Sequence, residues 1–144
     1  MRTATDIAGN YSFRLIDLTG AQKVATGVPV NGVLNPAGET EAYRFDATAG
    51  DRFFFDRTAN DGGDTYWRLI DPWGRVVWGP TTMGSDVDVT ALAFTGTYTL
   101  LIEGRYYVGG QASYGFNVSP SPLQAPVIIG GLGTVDGPDL VVEG

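Results

Sequence analysis

Oxygen-bearing side chains cluster in one short stretch of this 144-residue sequence. Asp56, Asn60, Asp61 and Asp64 lie within nine residues of one another and surround a Gly-Gly pair. Calcium takes about six to eight oxygen ligands, which a loop of this composition can supply. The spacing differs from that of an EF-hand loop, which ends on a glutamate. Asp and Asn also stabilise turns without a metal, so the stretch is either a Ca²⁺ site or an ordinary turn, and no cofactor is required.

Aromatic side chains form the second candidate site. Tyr66, Trp73, Trp78, Tyr106 and Tyr107 do not fall clearly on the inward face of a strand. Trp73 occupies the tip of a turn, where burial is difficult. Exposed aromatic rings can stack on sugar rings or anchor a peptide, which makes a glycan or peptide ligand one interpretation. The other interpretation is that these rings cover the open ends of the fold.

Catalytic chemistry has little support in the composition. The sequence contains neither histidine nor cysteine, which excludes Ser-His-Asp and Cys-His nucleophiles and zinc sites built from imidazole or thiolate. Asp71 and Glu103 are the carboxylates that a glycoside hydrolase would need as a pair. Both positions are equally explained by turn chemistry and strand ends, so we expect that the protein is not an enzyme.

Net charge narrows the classes of partner. The formal charge of −7 disfavours nucleic acid and anionic membrane surfaces, and it suits a soluble protein, a cation or a neutral glycan. No apolar run approaches the roughly 18 residues of a membrane span. The first residues lack the apolar stretch of a signal peptide, so a secreted parent protein would carry its signal elsewhere.

Alternating apolar residues separated by turn residues predict an all-β fold. Charged residues make up only 17% of the chain, which has 21 glycines and 8 prolines. Eight to nine short strands predict an antiparallel, jelly-roll-like β-sandwich. The inward residues are expected to include Tyr43, Phe45, Phe53, Phe55, Trp67, Tyr98 and Phe116.

Turn signals divide the chain between these strands. Residues 11–17 are predicted to form the first strand, and residues 41–47 and 52–56 to form a hairpin around a tight turn. Residues 57–63 are predicted to be a loop. Asp71-Pro72-Trp73-Gly74 has the residue preferences of a type I turn.

Composition also predicts the domain boundary. Residues 1–118 are expected to form the sandwich, and residues 119–144, rich in Pro and Gly, a linker and the start of a following domain. The run Tyr11-Ser12-Phe13-Arg14-Leu15 echoes Tyr114-Gly115-Phe116-Asn117-Val118. Residues 8–17 are therefore either part of this domain, the closing strand of a preceding repeat, or a strand donated across the boundary.

Five motifs follow one another along the chain: Gly32-x-Leu34, Glu41-x-Tyr43-x-Phe45-x-Ala47-x-Ala49-Gly50-Asp51, Trp67-x-Leu69-x-Asp71-Pro72-x-Gly74, Gly96-Thr97-Tyr98-x-Leu100-x-Ile102-Glu103-Gly104 and Tyr114-x-Phe116-x-Val118. Their order resembles that of the bacterial pre-peptidase C-terminal (PPC) domains found in large secreted proteins. The resemblance implies a β-sandwich, export, and a role beside other domains, with calcium or an insoluble substrate as ligands of some relatives. We therefore expect a non-catalytic structural or interaction module of an extracellular or cell-surface repeat protein, and alternatively a carbohydrate- or peptide-binding module.

Overall fold

The computed structural model describes residues 8–10, 13, 15–61 and 64–122. A 3₁₀ turn at Leu18–Gly20 is capped by Asp17, whose carboxylate accepts a hydrogen bond from the Thr19 N–H at 3.0 Å. No helix among these residues is long and apolar enough to cross a membrane. The strands are β1 (Gln22–Lys23), β2 (Val30–Leu34), β3 (Thr40–Ala47), β4 (Arg52–Asp61), β5 (Tyr66–Ile70), β6 (Val76–Thr82), β7 (Val87–Ala91), β8 (Gly96–Glu103) and β9 (Ala112–Pro120).

The strands form two packed sheets with jelly-roll connectivity. One sheet has the order β1-β3-β8-β5-β6 and the other β2-β9-β4-β7. The antiparallel pairs are nested, because β2 pairs with β9, β3 with β8, β4 with β7 and β5 with β6. Nested pairs of this kind define a jelly roll, in which one long antiparallel hairpin folds over to form two facing sheets. The predicted all-β sandwich is confirmed.

The core lies between the sheets and follows the period-2 alternation of the strands. β3 pairs with β8 without interruption from Thr40 opposite Glu103 to Ala47 opposite Gly96. Rings from the two sheets interlock at the centre, with the Phe45 and Phe53 centroids 5.3 Å apart. All seven residues predicted to face inward are buried, namely Tyr43, Phe45, Phe53, Phe55, Trp67, Tyr98 and Phe116.

The predicted hairpin between residues 41–47 and 52–56 is wrong. A tight turn is present, but β3 and β4 belong to different sheets. Phe45 and Phe53 thus meet face to face across the core instead of side by side in one sheet. Both strands bury alternate residues on one face, and this pattern alone cannot distinguish a hairpin from a corner between two sheets.

The predicted loop at residues 57–63 is also wrong over its first part. β4 continues to Asp61, with Asn60 opposite Tyr114 and Asp61 opposite Ser113 of β9. The turn-forming residues are held in a strand because β9 offers a long partner, and the mismatch is absorbed by a register shift between Arg57 and Ala59. Residues 62–63 lie outside the described residues.

The predicted first strand is not found in its described part. Residues 15–17 are not in a strand, and the side chains of Phe13 and Leu15 are 76% and 86% exposed. β1 instead lies parallel to β3 at the edge of the larger sheet. Tyr11, Ser12 and Arg14 lie outside the described residues, as do residues 123–144 of the expected linker. β9 includes residues 119 and 120, which were expected to belong to that linker.

Candidate functional site

The structure separates the five candidate aromatic residues into three places. β5 begins at Tyr66, opposite Glu103 of β8, and ends at Ile70, opposite Thr99. The turn that carries Trp73 follows the end of β5, whereas the loop that carries Tyr106 and Tyr107 follows Glu103. Trp73 and the tyrosines therefore lie at opposite ends of the sandwich.

Trp78 is part of the core packing. Its ring meets those of Phe55 and Trp67 edge to face, at centroid distances of 5.0 Å and 5.6 Å. Register shifts in the pairing of β5 with β6 change the alternation of β6 and turn this ring inward. Trp78 is thus separated from the other candidate residues.

A hydrogen-bonded turn holds Trp73 at its end of the fold. The Asp71 carboxylate accepts hydrogen bonds from the Trp73 N–H at 2.8 Å and from the Arg75 N–H at 2.9 Å. The Gly74 N–H donates to the Asp71 carbonyl at 3.0 Å, which closes the turn. Gly74 has φ 85°, a conformation that favours glycine and returns the chain into β6. The predicted turn at Asp71-Pro72-Trp73-Gly74 is present.

The buried carboxylate of Asp71 stays ionised in this turn. Burial by itself would raise its pKa, and this effect is opposed by the backbone hydrogen bonds from Arg75 and Trp73 and by the charge of the Arg75 side chain. The Arg75 guanidinium adds a hydrogen bond from Nε to Oδ2 at 2.8 Å. Together these contacts hold the pKa of Asp71 below its ordinary value.

We call Trp73, Arg75 and Phe94 the Trp73 cluster. The Trp73 and Phe94 rings meet edge to face with centroids 4.8 Å apart, and the Arg75 guanidinium lies 4.9 Å from the Phe94 centroid. The Phe94 backbone is anchored on both sides, because Tyr98 Oη accepts from its N–H at 3.1 Å and donates to its carbonyl at 2.8 Å. Trp73 nevertheless remains 62% exposed. The cluster is an exposed aromatic surface carried by a hydrogen-bonded turn.

Apolar surface continues from the Trp73 cluster onto β6. The side chains of Val76 and Val77 are exposed beside it. A cavity of about 290 Å³ is lined by these valines with Leu92 and Phe94, and Asp71 and Arg75 are also part of its wall. An apolar area of this kind with an arginine beside it has the composition of a binding surface.

We call Tyr66, Arg105, Tyr106 and Tyr107 the tyrosine cluster. The Arg105 guanidinium lies 3.6 Å from the centre of the Tyr66 ring. The Tyr107 hydroxyl donates a hydrogen bond to the Asp64 carboxylate, and this bond raises the pKa of Tyr107. The Tyr106 ring contacts that of Tyr107 edge to face and is 95% exposed. In this cluster the Tyr106 ring is almost fully exposed, whereas Tyr66 contacts Arg105 and Tyr107 is hydrogen-bonded to Asp64.

The candidate calcium ligands take part in different contacts. The Asn60 side-chain amide donates to the Met83 carbonyl at 3.2 Å, and Asp64 accepts from Tyr107. Asp56 lies in β4 opposite Asn117, and Asp61 is the last residue of that strand. No three His, Cys, Asp or Glu side chains are grouped to hold a metal ion in the part of the chain that the structure describes. Calcium binding stays a prediction.

The two carboxylates considered for hydrolysis do not form a pair. Asp71 follows the end of β5, whereas Glu103 is opposite the first residue of that strand. Each carboxylate is engaged by an arginine, since Arg68 donates to Glu103, with Nη2 to Oε1 at 2.8 Å, and Arg75 donates to Asp71. This separation leaves the pair without the arrangement around a glycosidic bond that hydrolysis requires.

Phe94, Arg75 and Arg105 were not foreseen as site residues. Phe94 lies between β7 and β8 in a stretch without alternation, so only its proximity to Trp73 in the fold identifies it. The two arginines were plain surface charges in the sequence. A signal was available, because each is close in sequence to an exposed aromatic residue.

Solved structures of other proteins share this fold, among them two bacterial domains. PliG of Aeromonas hydrophila, a periplasmic lysozyme inhibitor of g-type lysozyme, superposes with a TM-score of 0.54 at 17% identity and covers 70% of this chain and 96% of its own. The pre-peptidase C-terminal domain of collagenase from Bacillus anthracis gives 0.54 at 16% identity and covers 74% and 99%. No protein-family model and no curated protein sequence matches the chain. The chain therefore has a PPC-like fold, as its motifs predicted.

Proposed function

We propose that this protein is a non-catalytic interaction module of a larger extracellular or periplasmic protein, and that the Trp73 cluster is its binding surface. The observation that carries the proposal is the combination of rigidity and exposure at Trp73. The turn and Phe94 fix the ring, yet most of it faces solvent. A preorganised aromatic ring with an arginine beside it is typical of the residues that dominate protein interfaces.

The fold gives the proposal a setting. A sandwich of this kind occurs as a lysozyme inhibitor in one neighbour and as a collagenase domain in the other, so both the binding of a protein and a place beside other domains are compatible with it. These neighbours are periplasmic or part of a larger enzyme by their own descriptions. They support export and an accessory role without identifying a partner for this chain.

The competing explanation is that Trp73 only closes the end of the sandwich. Replacing Trp73 with Ala tests it by urea unfolding. A binding residue that is mostly exposed should cost less than about 1 kcal/mol of unfolding free energy. A loss of about 3 kcal/mol or more, as for a core tryptophan, would make the ring a structural plug and end the proposal. Phe94→Ala is the informative companion, because Phe94 contributes both to the cluster and to the wall of the cavity.

Carbohydrate binding is the second candidate, and the exposed Trp73 ring is the observation that favours it. The test is co-sedimentation with cellulose, chitin and peptidoglycan, using wild type, Trp73→Ala and Tyr106→Ala. Retention that falls at least about tenfold in Trp73→Ala alone, a change of about 1.4 kcal/mol, would establish a glycan as the ligand of this surface. Equal retention of all three proteins, or none, would remove glycans from consideration.

A further inference from the structure

The chain enters and leaves the sandwich at opposite ends. Ile16 lines a cavity of about 400 Å³ together with Pro36, Thr40 and Tyr106, so the incoming chain passes the tyrosine cluster. At the other end, the Ser121 N–H donates to the Arg52 carbonyl at 2.8 Å, directly after the end of β9. The chain therefore enters the sandwich beside the tyrosine cluster.

The end at which the chain leaves the sandwich lies close to the Trp73 cluster. Gly50 and Asp51, beside Arg52, exchange backbone hydrogen bonds of 2.8 Å with Leu92. The Ala49 N–H donates to Thr95 Oγ1 at 2.9 Å, next to Phe94. The outgoing chain thus leaves the fold beside the segment that carries Phe94.

We propose that the Trp73 cluster of one copy docks on the tyrosine cluster of a second copy, head to tail. This inference rests on the proposed function and names its partner. Copies joined in series would place the exit end of one domain toward the entry end of the next, and each of those ends carries an exposed aromatic surface. A contact between two different surface patches is head to tail, and it can therefore repeat from copy to copy along an open array.

Charge supports the same pairing. The end with the tyrosine cluster carries the carboxylates of Asp61 and Asp64 beside Arg105. On the outside of the Trp73 cluster, Arg75 is paired with Asp71 through Nε, and its side chain is still 61% exposed. An arginine that already packs on Phe94 can approach these carboxylates and the Tyr106 ring in one contact.

The expected affinity is low, because contacts between neighbouring domains are small and are supported by the linker. A short linker supplies an effective concentration in the millimolar range, so the unlinked protein should associate at about 1 mM. Sedimentation equilibrium of the protein should then show an average mass above that of the monomer, rising with concentration. A wild-type protein that remains monomeric at this concentration would overturn the inference.

Mixing variants distinguishes head-to-tail docking from any symmetric dimer. Trp73→Ala keeps only an intact tyrosine end, and Tyr106→Ala keeps only an intact Trp73 end. Each variant alone should be monomeric, whereas an equimolar mixture should form dimers that grow no further. A mixture without dimers contradicts the proposal, as does self-association of either variant alone. Val33→Ala, an exposed change on β2, is the matched control and should associate as the wild type does.

Amide NMR spectra recorded at increasing concentration provide a second measurement that does not depend on variants. Shifts should be confined to residues 71–77, 92–95 and 104–108, and shifts centred elsewhere would refute the docking surface. If association fails but Trp73→Ala leaves the stability unchanged, only this inference falls. If Trp73→Ala unfolds the protein, the proposed function falls with it.

Discussion

Trp67 and Trp73 belong to the same hairpin, but one is buried and the other is exposed. Trp67 lies within β5 and is 0% exposed, whereas Trp73 lies in the turn after β5 and is 62% exposed. Trp67 packs on Trp78 in the core, and Trp73 packs on Phe94 and Arg75 at the end of the fold. The same side chain is therefore a core residue in one place and a presented surface in the other.

The difference teaches how a sandwich can carry function. Its core requires alternation along strands, which leaves little freedom for the residues inside. Its ends consist of turns, where a polar residue such as Asp71 fixes the backbone and frees the neighbouring side chain. The two ends of this protein are therefore where its surface can vary without loss of the fold.

The largest expected effect is in the core. Trp67→Ala removes a fully buried core ring that packs on Trp78, and we expect it to lower the free energy of unfolding by about 3–5 kcal/mol. Chemical denaturation followed by circular dichroism measures this loss. If Trp67→Ala were no more destabilising than Trp73→Ala, the distinction between core and end would fail.

Gly104→Ala is expected to have the next largest effect. A Cβ at this position would overlap the Ala37 carbonyl oxygen, so the backbone of the tyrosine end would have to shift. Such overpacking typically costs about 1–3 kcal/mol, and more where the backbone cannot yield. Gly109→Ala in the same loop is the control, because a Cβ there would meet no atom within 4 Å beyond its chain neighbours. Equal melting temperatures for the two variants would contradict this expectation.

Much of the fold could be predicted from alternation. β3, β8 and β9 bury the residues that their sequences indicate, because each strand is regular and has a long partner. The hairpin of β3 and β4 could not be recognised as wrong, since the pairing of β3 with β8 joins residues far apart in sequence. The length of β4 could not be predicted for the same reason. Asn60 and Asp61 favour turns, but their pairing with β9, which is distant in sequence, holds them in a strand.

The candidate site was predicted only in part. Asp71-Pro72-Trp73-Gly74 has a local turn signature, and this places Trp73 at an exposed tip from sequence alone. The packing of Trp78 against the core could not be predicted, because the register shifts of β6 cannot be read from alternation. Phe94 reaches Trp73 only after β7 and β8 have packed, and so its role depends on the tertiary fold.

Tyr114→Phe tests a polar contact inside the core. The hydroxyls of Tyr43 and Tyr114 are 2.5 Å apart, so this change leaves the Tyr43 hydroxyl without that partner at a cost of about 1–2 kcal/mol. Burial, and then the bond to Tyr43, raises the pKa of Tyr114. The contribution of the Tyr114 hydroxyl to the free energy of unfolding is therefore complete below the unfolded pKa of about 10, and it is lost as the pH rises further. The advantage of wild type over Tyr114→Phe should therefore shrink above about pH 10, as measured by urea unfolding.

Asp71→Asn tests the turn that presents Trp73. The pKa of Asp71 is lowered in the fold, so its stabilising effect is present above the unfolded value of about 4 and is lost as the pH falls below it. Melting temperatures from neutral to acidic pH should show wild type more stable at neutral pH and the two proteins converging in acid. Asp88→Asn, at an exposed position of β7, is the control and should melt close to wild type at neutral pH. A constant difference between wild type and Asp71→Asn at every pH would refute the role of the charge.

The smallest expected effect is at Tyr106, which extends the comparison to the second end of the fold. Its ring is 95% exposed and touches Tyr107, so Tyr106→Ala should change the free energy of unfolding by no more than about 0.5 kcal/mol in dilute solution. Tyr114, an aromatic of the same type with 2% exposure, provides the internal contrast through its own variant. A loss above about 1 kcal/mol for Tyr106→Ala, measured by urea unfolding, would mean that this end supports the fold. A neutral result would leave Tyr106 without a role in stability, which the proposed docking of the two ends requires, because a docking residue must be removable without loss of the fold.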